Sequence, residues 1–476
     1  MAELRADSES DVLYGHILRH ASRFPDAPAL SDGRAAMRYG DLTAEIQRMM
    51  AGLQEAGVRS GQLLAVTLSD PISHWIMLIA AEALGAATSS FSLRTLAMPA
   101  LRRLLPRLDH LFSEREIPGL ETGKLRLCTA DWWQRVRTRP VETLPDFSDL
   151  PDRPEAWARI VQSSGTTGLP KNIMLSRAAL ARRVEHLVKT DALNAESRLL
   201  VSYPFSVGSL HLRAYGCMRE GGSLVFCPTG MALAADAISH LWLLPNDLTT
   251  VLNGLPPTVP ARPSLRLITA GGPLSAALRQ RAEERLGCPA LSYYGANEVG
   301  VGLAQVEADG IAQPLAGLEL RLLEPGGIIA LRWPGMAPGY LDDDEASARH
   351  FRDGWFITGD AGERQEDGRF RILGRADEML TLGGLKVAPE QLEHALHQSL
   401  GHEVAAVMAV PGGDILLLGI VCPAGPDWNP LVNRALAEVK RLLPTWRGQL
   451  RLQRLEELPR AENGKLRRLG LREAGA

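Results

Sequence analysis

Apolar and polar positions along the chain follow two periods. Over 41–57 (DLTAEIQRMMAGLQEAG), Leu42, Ile46, Met49, Met50 and Leu53 recur at helical spacing. The pattern predicts an amphipathic helix with Asp41 or Thr43 as its cap and Gly57 as its stop. The segment 63–68 (LLAVTL) predicts a buried strand, and 72–84 the helix that follows it. The order recurs as strand 199–202, a helix and strand 223–227, then strand 265–269, helix 275–286 and strand 290–293. Strands alternating with helices point to a layered α/β domain. Residues 137–158, rich in Pro, Asp and Arg, read as a surface connection. There are no internal repeats and no low-complexity tracts.

The pattern changes near 375. Residues 354–374 hold short alternating segments broken by Gly and Asp. Beyond them, 390–400 and 430–443 read as helices and 404–410 and 415–421 as strands. About a hundred residues of mixed α and β make a small independent domain. The expected organisation is a large N-terminal layered α/β domain, 1–375, and a smaller α+β C-terminal domain, 376–476.

Composition narrows the function classes. A chain of 476 residues exceeds a single core, and 45% hydrophobic with 22% charged residues is an ordinary globular balance. A formal net charge of −3 gives no electrostatic reason to expect nucleic acid or an anionic membrane as partner. The most apolar stretch, 75–87, is interrupted by Glu82 and too short to span a bilayer. The N-terminus is polar and acidic, unlike a signal peptide. Cys128, Cys217, Cys227, Cys288 and Cys422 are odd in number and lack CxxC spacing, so a disulfide framework is not expected and a reducing cytoplasm fits.

The sharpest local signal is Val-Gln-Ser-Ser-Gly-Thr-Thr-Gly-Leu-Pro-Lys at 161–171. Gly165 and Gly168 let backbone N–H groups approach an anion closely. Ser163, Ser164, Thr166 and Thr167 add hydroxyl donors, and Lys171 adds a mobile positive charge. The run suits a polyphosphate, though not as a P-loop, which needs Gly-Lys-Ser/Thr. Taken alone it also describes an ordinary Ser/Thr/Gly turn.

This run resembles the phosphate-binding signature of the acyl-adenylate-forming superfamily, which includes acyl-CoA synthetases, peptide-synthetase adenylation domains and luciferases. Four further segments are similar to that family's, in its order: Tyr294-Gly295-Ala296-Asn297-Glu298, Gly354-Trp355-Phe356-Ile357-Thr358-Gly359-Asp360, Gly374-Arg375-Ala376-Asp377, and the PRAENGK run at 459–465 ending in Lys465. The resemblance covers nearly the whole chain and is closest to acid–thiol ligases. It implies ATP and Mg²⁺, a small carboxylic acid as substrate, and CoA or a phosphopantetheinyl carrier protein as acyl acceptor.

The resemblance also implies roles, and each has a physical reading. Residues 163–168 and Lys171 would hold the ATP phosphates. Glu298, following a strand, would place a carboxylate on Mg²⁺, with Asn297 beside it. Tyr294 would stack on adenine against the backbone of Gly271 and Gly272. Asp360, after a Thr-Gly turn, would accept both ribose hydroxyls, with Arg375 as a second contact. Lys465 would bridge the substrate carboxylate and the α-phosphate, two anions that repel. Asp377 would be the hinge of the small domain, and Gly383 and Gly384 would line a pantetheine tunnel. Phe205, Ser206, Leu210, Tyr293, Val301 and Gly302 would form the acid pocket. They are mostly small or apolar, which suits an aryl or acyl acid.

Three positions depart from the pattern. Asn297 stands where the family usually has Thr, and Asn172 where it usually has Gly. Ser206 stands where many acyl-CoA synthetases have His and α-amino-acid-activating domains have Asp, so a free α-amino acid is not expected. An adenylating amide-forming ligase and a catalytically silent ATP-binding relative are the alternatives.

Overall fold

The computed structural model describes residues 12–92, 99–117, 123–141, 153–163, 171–235, 237–324, 327–382, 385–387, 389–410, 413–422, 428–459, 466 and 468–474. The architecture is mixed α/β, with a large sheet-rich N-terminal domain and a smaller C-terminal domain.

The run at 63–68, apolar but for Thr67, becomes the strand Leu63–Thr67, buried at every position, as a strand covered on both faces must be. It is central to a six-stranded sheet ordered Leu125–Leu127, His110–Ser113, Leu63–Thr67, Ala87–Ser90, Trp157–Ser163, Lys171–Ser176. The first five strands are parallel and the last pairs antiparallel with Trp157–Ser163. A larger sheet holds the parallel strands Pro28–Ser31, Ser223–Val225, Arg198–Leu200, His240–Leu243, Arg266–Ala270 and Ala290–Ala296. It continues through Gly300–Val306, Ile311–Pro314, Phe370–Arg375, Trp355–Arg364, Ile328–Arg332 and Glu319–Leu323 as an antiparallel extension.

One extended apolar cluster joins the helices Tyr39–Glu55, Pro71–Ala83, Arg177–Thr190 and Gly208–Arg219 to strands of both sheets. Asp70 caps Pro71–Ala83 by accepting from Ser73 N at 2.9 Å, with proline at the first helical position. Glu82, the acid inside this apolar helix, is buried. It accepts from the Tyr215 hydroxyl at 3.0 Å and lies 3.8 Å from Arg177, and burial pushes its carboxyl up to about 7.

Two local expectations are corrected. The helix expected at 41–57 starts at Tyr39, and its cap is Arg38 with no side-chain bond. Tyr39 is wholly buried and its hydroxyl donates to Gly222 O at 2.7 Å, so tertiary burial extends the helix past both expected caps. Thr43 instead donates to Gly40 O at 2.7 Å. Its apolar face and its Gly57 stop, at φ +96°, are as expected. The second correction concerns Thr358-Gly359, which is no turn. It lies inside the ten-residue strand Trp355–Arg364, where Gly359 at φ +82° forms a local irregularity.

In the C-terminal domain Val404–Met408 and Ile415–Val421 pair antiparallel, and Ile415–Val421 runs parallel with Gln449–Leu455. Helices Pro389–Leu400 and Trp428–Leu442 contribute to one core with this sheet. All five cysteines are free thiols. Among the described residues, no helix is long and apolar enough to cross a membrane.

Candidate active site

Strands Arg198–Leu200, His240–Leu243, Arg266–Ala270 and Ala290–Ala296 run parallel, so the segments after them open on one sheet edge, the usual place for a site in such sheets. Ala270 pairs with Tyr293, which sets Gly271 and Gly272 beside Tyr294. Gly271 has φ +86°, and both glycines are exposed. Tyr203 crosses this edge: its hydroxyl donates to Asp247 and accepts from Leu244 N at 2.9 Å.

Glu298 follows strand Ala290–Ala296 and is buried to 9% exposure. Its Oε1 accepts from the Tyr340 hydroxyl at 3.0 Å. The Lys171 ammonium lies over the same Tyr340 ring, 4.6 Å from its centroid. Burial pulls the lysine below its ordinary range, against the opposing pull of Asp343 and Glu298. Ser163 pairs with Lys171 across the two strands that flank the phosphate run, and its buried Oγ has no partner among the described residues. A buried unpaired hydroxyl beside a lysine is a fit for a phosphate oxygen.

Asn297 donates through Nδ2 to Gln162 O at 3.3 Å, tying the 294–298 segment to the strand that enters the phosphate run. Asn172 is buried in strand Lys171–Ser176 and is not a positive-φ residue, so the family's glycine is not needed there.

A second group forms around Tyr294, whose hydroxyl donates to Asp360 Oδ2 at 2.6 Å. Burial, and then the Asp360 charge, push this hydroxyl well above its ordinary range. Arg375 pairs with Asp360 across neighbouring strands, its Nη1 reaching Thr358 O at 2.8 Å and Asp360 Oδ1 at 3.4 Å. Its Nε donates to Asp377 at 3.0 Å. Burial works against the Arg375 charge, but Asp377 and Asp360 outweigh it and raise its pKa. A Cβ on Gly359 would stand 2.6 Å from Arg375 Nη2, at a φ that side chains rarely adopt. Gly359→Ala is therefore expected to lower stability by about 1–3 kcal/mol. Chemical unfolding of the purified variant checks this, and an unchanged midpoint would show that Arg375 is not packed on Gly359.

The expected acid-pocket residues fall in three places. Leu210 and Tyr293 share a buried cluster with Trp242 and Ile268, bordered by Tyr203, Val207 and Leu244. Phe205 is 1% exposed and stacks on Trp75 with centroids 4.6 Å apart. Val301 packs on the main apolar cluster, and Gly302 lies against helix Arg177–Thr190, its carbonyl accepting from His186 at 2.6 Å. Ser206 is half-buried beside Phe205. Ser164, Gly165, Thr166, Thr167, Gly168, Gly383, Gly384 and Lys465 lie outside the described residues.

Two residues at this site were not singled out in the sequence. Arg183 is 2% exposed and donates to Gly335 O at 2.7 Å, Asn297 O at 2.7 Å and Glu298 O at 3.0 Å. Burial pulls its pKa down to about 9, against the Glu298 charge. The available signal was an arginine on the apolar stripe of a helix, between Leu180, Val184 and Leu187. The other is Tyr340, which orients Glu298 and underlies Lys171. A lone tyrosine after a Gly/Pro-rich turn carries no such signal.

The profile of the AMP-binding enzyme family matches residues 17–341. A feruloyl-CoA synthase of Amycolatopsis is 28% identical over 83% of this chain and 84% of its own. The medium/long-chain-fatty-acid–[acyl-carrier-protein] ligase FadD10 of Mycobacterium tuberculosis is 25% identical over 96% of this chain and 94% of its own. The o-succinylbenzoate–CoA synthetase of Bacillus subtilis, solved with ATP and a magnesium ion, superposes with a TM-score of 0.80 over 96% of this chain and 98% of its own, at 20% identity, a likeness of fold. With the family profile spanning Ser163, Lys171, Tyr294 and Glu298, this chain belongs to the AMP-binding enzyme family.

Proposed function

We propose that this chain uses ATP to convert an aryl or acyl carboxylic acid into an acyl-AMP and then passes the acyl group to the pantetheine thiol of CoA or of an acyl carrier protein, working in the cytoplasm. The observation that carries the reading is the approach of two sheets: the smaller brings Ser163, a hydroxyl with no partner among the described residues, and Lys171, and the larger brings the Tyr294–Asp360–Arg375 group and, after its strand, the buried Glu298 carboxylate, with Tyr340 between Lys171 and Glu298. The relatives act on an aryl acid and on fatty acids, with CoA and a carrier protein as acceptors.

In the first half-reaction a carboxylate oxygen bonds to the α-phosphorus of ATP and the bond to pyrophosphate breaks. Ser163 to Lys171 hold the departing phosphates, Asn297 contributes a donor, and Lys465 brings the two anions together. Asp360 and Arg375 hold the ribose, and Tyr294 with Gly271 and Gly272 holds the adenine. Magnesium, when bound, neutralises phosphate charge. Glu298, a buried carboxylate oriented by Tyr340, would hold the ion together with substrate phosphates. In the second half-reaction the thiol sulfur bonds to the acyl carbon and AMP leaves. The unit 376–476 turns about Asp377 relative to 1–375, Lys465 withdraws, and Gly383 and Gly384 admit the pantetheine arm. Leu210, Tyr293, Phe205, Ser206, Val301 and Gly302 shape the acid site, with no charge among them to pair an α-ammonium.

The deciding experiment is pyrophosphate release across a panel of aryl and fatty acids, with CoA, with a phosphopantetheinylated carrier protein, and with neither. Acid-dependent release with thioester formation is the expected result. Release that yields product only with an amine would make this an amide ligase. No release with any acid would overturn the reading in favour of a silent ATP-binding relative.

A further inference from the structure

The strand Trp157–Ser163 presents Arg159, Val161 and Ser163 on one face, two residues apart. Ser163 opens the phosphate run. Val161 is the bed for Gly208, whose added Cβ would stand 3.4 Å from Val161 Cγ1. Arg159 is 1% exposed, and among the described residues no carboxylate hydrogen-bonds it, Glu82 acting on it only through its charge. Buried arginines are ordinarily matched by an acid. Here Nη1 donates to Thr88 Oγ1 at 3.0 Å, and Nη2 donates to Ser90 Oγ at 2.8 Å and to the Phe205 carbonyl at 2.7 Å.

The Phe205 peptide is thereby gripped on two sides. Its ring stacks on Trp75, and its carbonyl takes a charge-assisted bond from Arg159. Ser90 is itself fixed by His74, whose Nε2 lies 2.9 Å from its hydroxyl. Thr88 and Ser90 belong to the strand that pairs with Trp157–Ser163, so the guanidinium is anchored in one sheet and reaches the segment that follows a strand of the other.

We propose that Arg159 is a positioning residue for the acid substrate: a buried strut that sets the 205–208 segment, and Ser206 with it, at a fixed distance from the strand leading into the phosphate run. This rests on the adenylation reading, in which 205–208 borders the acid and 163–171 the phosphates. The strut acts on the acid side of the site. The nucleotide side is held separately, by the Gln162 carbonyl to Asn297 and by the Tyr294–Asp360–Arg375 group.

The test uses the full-length chain with Arg159→Lys, Arg159→Met and Thr88→Val. Loss of the bond to the Phe205 carbonyl is expected to raise KM for the acid by about ten- to a hundredfold in Arg159→Met, the range set by one charge-assisted hydrogen bond, while KM for ATP moves by less than about twofold. Arg159→Lys, with its smaller head group, should fall between, and serves alone if the methionine variant does not fold. Thr88→Val removes an anchor but not the Phe205 contact, so it should leave both KM values in place even where it lowers the melting temperature. Hydrogen exchange of backbone amides 203–209 should quicken in the Arg159 variants and not in Thr88→Val. That measurement needs no substrate, so it separates failure of the strut from failure of the adenylation reading. An unchanged acid KM, an equal rise in both KM values, or unchanged exchange at 203–209 would overturn the proposal.

Discussion

Lys465→Ala is expected to cut acid-dependent ATP–pyrophosphate exchange by about a hundred- to a thousandfold, the range found when one preorganised donor to a developing charge is removed. The adenylation step sets a carboxylate against a triphosphate, and their repulsion in a water-poor site opposes the approach that bond formation needs. A lysine between them cancels part of that repulsion and holds the attacking oxygen in line. The thioester step has no such demand, because the acyl-AMP has already lost the pyrophosphate charge. Thioester formation from a supplied acyl-adenylate should therefore survive the substitution. Equal loss of both half-reactions would sink the assignment and point to a structural role for the segment.

Arg183→Met is expected to destabilise the N-terminal domain by about 3–5 kcal/mol, the usual range when a buried charged partner is removed. Its side chain reaches three backbone carbonyls, those of Gly335, Asn297 and Glu298, and a methionine leaves all three short of a donor in a dry region. Two of them belong to the segment that aims the Asn297 amide and the Glu298 carboxylate, so adenylation should also fall in whatever fraction remains folded. Urea unfolding measures the first effect, and pyrophosphate exchange normalised to folded protein measures the second. A loss of stability below about 1 kcal/mol would show that solvent or a neighbouring group replaces the lost donors.

Elements with one strongly patterned face were legible because burial on one side of a helix, or on both sides of a parallel strand, must be written into the residues themselves. The strand Leu63–Thr67 and the apolar face of helix Tyr39–Glu55 are of this kind, whereas Ala276–Leu286 was legible from its ends, Ser275 as cap and Gly287 as stop. The helix starting at Tyr39 was misplaced because its first turn is held by a distant carbonyl, Gly222 O, and not by a local cap. Thr358-Gly359 reads locally as a turn ahead of Asp360 because glycine is a common turn residue. It is a strand here because Trp355–Arg364 is paired on both sides, with Ile328–Arg332 and Phe370–Arg375, and its glycine faces the Arg375 guanidinium.

The candidate site divides the same way. The order of short motifs, with their glycines, hydroxyls and isolated charges, is carried by residue identity, and by itself it determined the family and the kind of chemistry to expect. Partnerships across long sequence separations are not written locally. The support of Glu298 by Tyr340 and Arg183, the bond from Tyr294 to Asp360, and the reach of Arg159 to the Phe205 carbonyl are decided only when the sheets pack. The physical reason is that a buried polar group must find its partner wherever the fold brings one, and in this chain those partners lie 42 to 115 residues away.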